Sequence, residues 1–308
     1  MSDSRTSQFQ ASKMDPRGAS TAFPDTQQVS NEPSIGDLIR QANNLSPEQI
    51  QDILKYQQDN GLRFGEAAVA LGLANSDDVM WALAQQFHYP YAAEAVSRLP
   101  AELVVATKPF SEQAEAFRTM RSNMIMRLYS DTGPRQALAV VSPDSGDGKT
   151  YFAANLAAAF SQLSGRTLLI DADMRNPRLH EIFNLHGKTV GLSSILSGRA
   201  ANNVICPIKE LPSLFVLPVG ATPPNPLELI ERPAFGLLIR ELLTKFDQVI
   251  VDTPAASLGS DGAVIAARCG AAVVIARQNK SRMYALQQLL TTMSMGPIKL
   301  VGSVMNEF

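Results

Sequence analysis

Between Ser142 and Thr150 the chain reads SPDSGDGKT, a turn-forming stretch ending in Gly-Lys-Thr. The apolar run ALAVV leads into it, and the Ala-rich run YFAANLAAAF follows. In that context a glycine-containing turn binds phosphate. Gly146 and Gly148 let the backbone curl so that its N–H groups, with those of Ser145 and Asp147, point inward at an anion. The helix opening near Lys149 adds free N–H groups and the positive end of its dipole. Lys149 has the charge and reach for β- and γ-phosphates, Thr150 offers a hydroxyl to Mg²⁺, and Tyr151 follows directly as a further nucleotide contact. Pro143 stands where the first glycine of the GxxxxGK[ST] pattern belongs. An ordinary strand–turn–helix with a surface lysine would carry no further acidic motifs, and this chain has two. LLIDADMR brings Asp171 and Asp173 to one side of a strand end, because residues two apart share a face. VIVDTP ends a second apolar strand on Asp252. Such carboxylates suit Mg²⁺ and the proton of an attacking hydroxyl or water. The expected catalytic set is Lys149, Asp171, Asp173 and Asp252, with Thr150, Asp173 and Asp252 near the metal. Which aspartate acts as base stays open, and Arg175 is expected to pair with the second aspartate or with phosphate.

The elements that must position these groups alternate. Apolar strand candidates lie at Ala137–Val141, Thr167–Ile170, Leu214–Leu217, Gln248–Val251, Ala271–Ala276 and Lys299–Val304, mostly separated by helical stretches. Alternation of this kind predicts βαβ crossovers: an α/β, doubly wound, mostly parallel sheet with helices on both faces and its ligand crevice at the C-terminal strand ends. A helix is expected from about Ser111 to Tyr129. Residues 90–110 contain Pro90, Pro100 and Pro109 and read as a linker. Residues 34–90 show helical spacing in Ile50, Ile53 and Leu54 and again in Val79, Ala82 and Leu83, with Ser46 and Ser76 as expected N-caps. An offset of 29 residues aligns Gly36 with Gly65, Asp37 with Glu66, Ile50 with Val79, Leu54 with Leu83 and Gln57 with Gln86. The expected organisation is a disordered Ser/Gln/Pro-rich leader at 1–33, a small helical repeat domain at 34–90, a linker at 91–110 and the nucleotide-binding domain at 111–308.

Composition narrows the function classes. A net charge of −2, from 27 basic and 29 acidic residues, gives no field drawing the chain onto a nucleic acid polymer or anionic lipid. Cys206 and Cys269 are far apart without CxxC spacing, which argues against a disulfide framework or a zinc site and fits a reducing compartment. The start MSDSRTSQFQ lacks the apolar core of a signal peptide, and no run of about 18 apolar residues occurs. A cytoplasmic location, peripheral to the inner membrane through a partner, is expected.

On these motifs the chain resembles the deviant P-loop superfamily of MinD- and ParA-type ATPases, and within it the bacterial tyrosine kinases (BY-kinases) of polysaccharide export. Asp171-Ala172-Asp173-Met174-Arg175 is similar to that family's DxDxR motif, and Asp252 with Pro254 to its DxxP motif. Met174–His180 and the stretch Pro223–Leu229 match the family's continuation. MinD- and ParA-type loops carry a signature lysine, whereas here Asp144-Ser145-Gly146 has none, which favours the kinase branch. The resemblance spans about residues 108–308 and implies ATP and Mg²⁺ as cofactors and Asn306 as the adenine contact. Glu115, Arg118 and Arg121 form ExxRxxR, a motif by which BY-kinases join into rings. The bland alternative is an intrahelical pair on a solvated face. The resemblance further implies an autokinase that regulates exopolysaccharide chain length with a membrane co-polymerase partner. BY-kinases end in a tyrosine cluster. This chain ends at Glu307-Phe308, and its tyrosines (56, 89, 91, 129, 151 and 284) are scattered, as in the EpsG-type chain-length-determinant kinases. A MinD/ParA-type switch and a catalytically weak ATP-binding adaptor are the alternatives. Residues 34–90 resemble the N-terminal domain of type II secretion ATPases, which implies cyclic di-GMP as a ligand, with Arg63, Phe64, Gly65 and Gln86 in the second copy and Gly36 and Gln57 in the first. Ser34 stands where the first copy's arginine belongs, and Asn43 replaces its second glycine.

Overall fold

The computed structural model describes residues 33–86, 99–128, 134–185, 187, 189–199 and 204–307. The expected leader up to residue 32, the linker up to residue 98, Tyr89, Pro90, Tyr91, Tyr129 and Phe308 lie outside the described residues.

The N-terminal helices are α1 (Ile35–Asn43), α2 (Pro47–Asn60), α3 (Phe64–Ala70) and α4 (Ser76–Gln86). The 29-residue offset is a structural repeat of helix caps. Asp37 Oδ2 accepts from Ser34 N–H at 3.2 Å, and Glu66 Oε2 accepts from Arg63 N–H at 2.9 Å. Ser46 exchanges bonds with Gln49 as expected, its N–H donating to Oε1 and its Oγ accepting from the Gln49 N–H. The expectation at Ser76 is corrected. The cap is Asn75, 29 residues after Ser46, which exchanges bonds with Asp78 at 2.8 and 2.9 Å. Ser76 is already the first helical residue. Leu38, Ile39, Leu45, Ile53, Ala67, Ala68 and Ala82 form this unit's own apolar cluster. Gly65 lets α3 and α4 close up, since a β-carbon there would stand 2.6 Å from Val79 Cγ1.

The remaining elements are α5 (Val104–Thr107), α6 (Glu112–Leu128), β1 (Ala137–Val141), α7 (Lys149–Ser161), β2 (Thr167–Asp171), α8 (Leu179–Ile182), α9 (Leu192–Leu196), β3 (Cys206–Ile208), β4 (Leu211–Leu217), α10 (Pro226–Glu231), α11 (Pro233–Lys245), β5 (Gln248–Asp252), a 3₁₀ turn (Ala256–Leu258), α12 (Asp261–Cys269), β6 (Gly270–Arg277), α13 (Met283–Ser294) and β7 (Lys299–Asn306). The strands form one sheet in the order β3-β4-β2-β5-β1-β6-β7. All neighbours are parallel except β3 and β4. All six expected strands are present, and β3 is an addition, a three-residue antiparallel edge carrying Pro207.

The central strands are apolar on both faces because helices cover both, as parallel sheets require. Leu138 and Val140 pack with Phe117 of α6 and Phe152 and Leu156 of α7. Ala137, Ala139 and Val141 face Phe235 of α11, Ile265 of α12 and Leu289 of α13. Helix α7 is buried along most of its length, and its five alanines between 153 and 159 allow that close approach. Its buried Asn155 is fully engaged: Oδ1 accepts from Val105 N–H, and Nδ2 donates to the carbonyls of Glu102 and Tyr151. Asn155 thus fastens the α5 segment onto the helix that opens at the phosphate loop. Cys206 and Cys269 are buried free thiols. No helix among the described residues is long and apolar enough to cross a membrane.

Candidate active site

Strand register brings the three motifs together. β1, β5 and β2 are adjacent and parallel, with Val140 opposite Asp252 and Asp171 opposite Asp252. The loop after β1 and the carboxylates ending β5 and β2 therefore share one crevice at the C-terminal strand ends. Two glycines of the loop adopt backbone closed to other residues. Gly146 (φ 79°) would place a β-carbon 2.5 Å from Lys280 Nζ, and Gly148 (φ 97°) one 2.2 Å from Asn306 Nδ2. The buried Asp147 braces the loop, accepting from Asp144 N–H at 2.9 Å and from Ser281 Oγ at 2.9 Å. Lys149 is 6% exposed, and its Nζ donates to Ser142 Oγ at 3.1 Å. Ala256 and Ser257 N–H donate to the carbonyls of Ser142 and Pro143, tying the turn after Asp252 to the start of the loop.

The carboxylates differ in kind. Asp171 is wholly buried and accepts from the N–H groups of Asp173, Arg178 and Leu179, so it organises the loop that follows it. Burial, then the neighbouring charges of Asp252 and Asp173, hold its pKa well above the usual carboxylate range. Asp173 receives the N–H groups of Arg175 and Asn176, both on Oδ1. Asp252 is buried, and neither of its oxygens receives a completed hydrogen bond. Burial raises its pKa to about 7; the Thr150 hydroxyl and the Lys149 ammonium beside it pull down, and the Asp173 charge pushes up. Clustered carboxylates with orphaned buried oxygens beside a threonine hydroxyl fit a hard divalent cation.

Arg175 gives the second aspartate only its backbone N–H, not its guanidinium. Its guanidinium meets Asp261, the first residue of α12, at 3.0–3.3 Å. Asp261 is 1% exposed and the arginine 32%. Arg175→Met is expected to lower stability by about 2 kcal/mol, the cost of stranding a buried carboxylate discounted for the arginine's exposure. Urea unfolding measures it, and an unchanged midpoint would show the pair to be idle.

Tyr151 and Asn306 are brought together as well. They line a cavity of about 290 Å³ with Phe117, Met120, Ile275 and Val304. Asn306 Nδ2 also donates to the Asp147 carbonyl at 3.0 Å. Phe117 and Tyr151 meet edge to face, with ring centroids 5.9 Å apart.

The ExxRxxR residues separate. Glu115 is 67% exposed, whereas Arg118 binds Glu115 at 2.8 Å and also donates to the Pro109 carbonyl. Arg121 Nη1 donates to the Ala159 carbonyl at 2.6 Å. Both arginines thus serve their own chain's packing. In the N-terminal unit, Arg63, Phe64 and Gly65 line one cavity of about 580 Å³ with Ile35, Val69 and Leu83, while Gly36, Gln57 and Gln86 are not in its lining.

Three residues that sequence reasoning did not single out grip the loop. Lys280 Nζ donates to the Ser145 carbonyl at 3.1 Å, Arg277 Nη1 to the Gly146 carbonyl at 3.1 Å, and Ser281 holds Asp147. They lie 131 to 135 positions after the loop residues they hold. The one available signal was that they stand at or just after the C-terminal end of β6, the same end of the sheet as the other motifs.

This fold and site are those of a nucleotide-binding P-loop domain, and the profile of the CobQ/CobB/MinD/ParA nucleotide binding domain matches residues 138–308. The tyrosine-protein kinase YwqD of Bacillus subtilis is 31% identical over 210 residues, which are 68% of this chain and 87% of that one. The tyrosine-protein kinase ptk of Acinetobacter johnsonii is 33% identical over 63% of this chain, and the matched part is 26% of its own length. The chain thus spans about a quarter of that relative and most of the Bacillus one. The crystal structure of the chimerical protein CapA2B2 superposes with TM-score 0.63 at 32% identity, over 70% of this chain and 99% of that one. The MinD of Pyrococcus horikoshii complexed with Mg-ADP shares the fold, with TM-score 0.50 at 20% identity over 56% of this chain and 70% of that one. The chain belongs to the bacterial tyrosine kinases.

Proposed function

We propose that this chain transfers the γ-phosphoryl group of ATP to protein tyrosines. The observation carrying this reading is the juxtaposition of the Lys149–Thr150 loop with Asp252, whose buried oxygens lack donors, in a chain whose relatives are named tyrosine-protein kinases. The loop N–H groups from Ser145 to Gly148 and the Lys149 ammonium hold the phosphates, and Arg277, Lys280 and Ser281 keep that loop in shape. Thr150 and Asp252, with Asp173 beside them, would hold Mg²⁺, which when bound would supply positive charge at the transferring phosphoryl group. Asp173 accepts the proton of the tyrosine hydroxyl, because its Oδ2 is the oxygen left clear by the backbone donors, while Asp171 positions the loop. Tyr151 and the Asn306 amide receive the adenine in their cavity. Incubation with ATP and Mg²⁺ followed by anti-phosphotyrosine blotting tests the reading. ADP release without any phosphotyrosine on the chain or on an added tyrosine copolymer would reduce the protein to an ATPase.

Within that activity, the finer reading is an EpsG-type kinase that sets exopolysaccharide chain length, peripheral to the inner membrane through a co-polymerase partner, and assembled as a ring. The exposed Glu115 is the ExxRxxR group available to a neighbour. Glu115→Arg is expected to shift the mass distribution in light scattering toward monomer with only a small fall in melting temperature, since its exposed pair with Arg118 is worth about 0.5 kcal/mol or less. Changing Arg118 and Arg121 to Ala should do so only with loss of stability, since both hold their own chain. An unchanged distribution for Glu115→Arg in an oligomeric wild type would leave the motif as intrachain packing.

The domain division at 34–90 and 111–308 belongs to the same reading, with the N-terminal repeat as a cyclic di-GMP-binding domain of the type II secretion ATPase kind. It is supported by the cavity beside Arg63 and Phe64, a guanidinium and a ring suited to a guanine face. Titration of the full chain with cyclic di-GMP should give saturable heat that Arg63→Ala removes. No heat from the wild type would leave the repeat as a protein-docking unit.

A further inference from the structure

We propose that Tyr284, in the first turn of α13, is the tyrosine on which a second copy of this chain places phosphate. This rests on the kinase reading above and names its substrate. Among the tyrosines in the described residues, Tyr56 and Tyr151 are half-buried, and Tyr151 lies against Phe117. Tyr284 is 76% exposed beside Met283, itself 68% exposed. A ring so free of its own molecule is not held in its own crevice and is open to the crevice of a second copy. The Tyr284 ring is open to solvent while its helix is fixed: α13 is anchored by the buried Leu289 and Met293, and the turn before it is tied to the phosphate loop through Lys280 and Ser281.

Charge supports the docking. From Arg277 to the end of α13 at Ser294 the sequence holds Arg277, Lys280 and Arg282, all before or at the helix start, and no acidic residue. The crevice that must receive Tyr284 gathers Asp171, Asp173 and Asp252. A basic helix start meeting an acidic crevice favours productive encounter. The same cations suit the product, because a phosphotyrosine dianion next to Arg282 and the N-terminal end of a helix gains charge-assisted partners. In the transfer the phenolic oxygen bonds to the γ-phosphorus, the bond from that phosphorus to the β–γ bridging oxygen breaks, ADP leaves with that electron pair, and the phenolic proton passes to Asp173.

The test incubates the full chain with ATP and Mg²⁺ and maps phosphotyrosine by mass spectrometry, with phosphorylation of a Glu/Tyr copolymer measured alongside. The wild type should carry phosphate on Tyr284. Tyr284→Phe should lose most of the incorporated phosphate while copolymer phosphorylation stays unchanged. Lys149→Met protein should be labelled at Tyr284 only when active wild type is added. Phosphate confined to Tyr89, Tyr91, Tyr129 or another residue, with copolymer activity intact, overturns the assignment and leaves the kinase reading standing. Absence of copolymer activity as well overturns both.

Discussion

Lys149→Met should abolish detectable phosphotyrosine and lower ATP turnover by about two to three orders of magnitude, the loss typical of deleting one preorganised charge from a reacting centre. Lys149 opens α7 and is almost wholly buried; its ammonium donates to the Ser142 hydroxyl and stands beside the Asp252 carboxylate without a completed hydrogen bond to it. A buried cation whose hydrogen bond goes to a neutral hydroxyl, at the mouth of the phosphate loop, is arranged for a ligand more than for the fold. Methionine keeps the unbranched stem and the volume, so packing is preserved and the thermal midpoint should change little. Nucleotide affinity should fall less than turnover, because the loop N–H groups still grip the phosphates in the ground state and the lysine charge counts most where negative charge develops. ADP release at saturating ATP, blotting and a thermal melt together decide the matter. A folded variant with wild-type turnover would remove the phosphate-loop assignment.

How much of this was legible before the structure depends on the range of each interaction. The central strands were legible because a strand covered on both faces must be a continuous apolar run, and β1, β2, β5 and β6 are. The carboxylates at their ends were legible for the same reason: a charge that ends such a run stands at the strand's exit. β3 was not, since three residues with a proline at an antiparallel edge carry no periodicity. The cap at Asn75 was hidden by the neighbouring Ser76, although the 29-residue offset from Ser46 points to it. Partners distant in sequence left no trace at all. Nothing in the spacing joins Arg175 to Asp261, 86 residues on, or Lys280 to Ser145, 135 residues back. The unequal roles of Asp171 and Asp173 also needed coordinates, because backbone N–H groups, which no sequence motif displays, decide which carboxylate oxygens remain open.

Asp252→Asn separates catalysis from stability, and its two effects should have opposite signs. In metal-free protein Asp252 is buried, close to Asp173, and without a completed hydrogen bond on either oxygen; burial outweighs the pull of Thr150 and Lys149, so folding raises its pKa from the ordinary 3.8 to about 7. A carboxylate with a raised folded-state pKa favours the native state while protonated. That contribution is present at low pH, is lost as pH climbs from about 4 through about 7, and is gone above the folded value. The full loss is on the order of 4 kcal/mol, shared with the coupled carboxylates around it. Asparagine cannot ionise, and its amide brings two donors into a cluster of acceptors. The variant should therefore melt higher than wild type at pH 8 in the presence of a chelator, and the gap should close toward pH 5. Saturating Mg²⁺ with ADP should close it too, because the cation relieves the repulsion in the wild type and the variant has lost a ligand. Turnover should meanwhile drop by about two orders of magnitude or more, since the lost charge acts on the phosphoryl group in flight. Melting curves at the two pH values, with and without metal, read the first effect and steady-state ADP release the second. If the variant is no more stable than wild type at pH 8 without metal, Asp252 does not sit in a repulsive, donor-poor cluster. If turnover is unchanged, the metal contact lies elsewhere among the carboxylates.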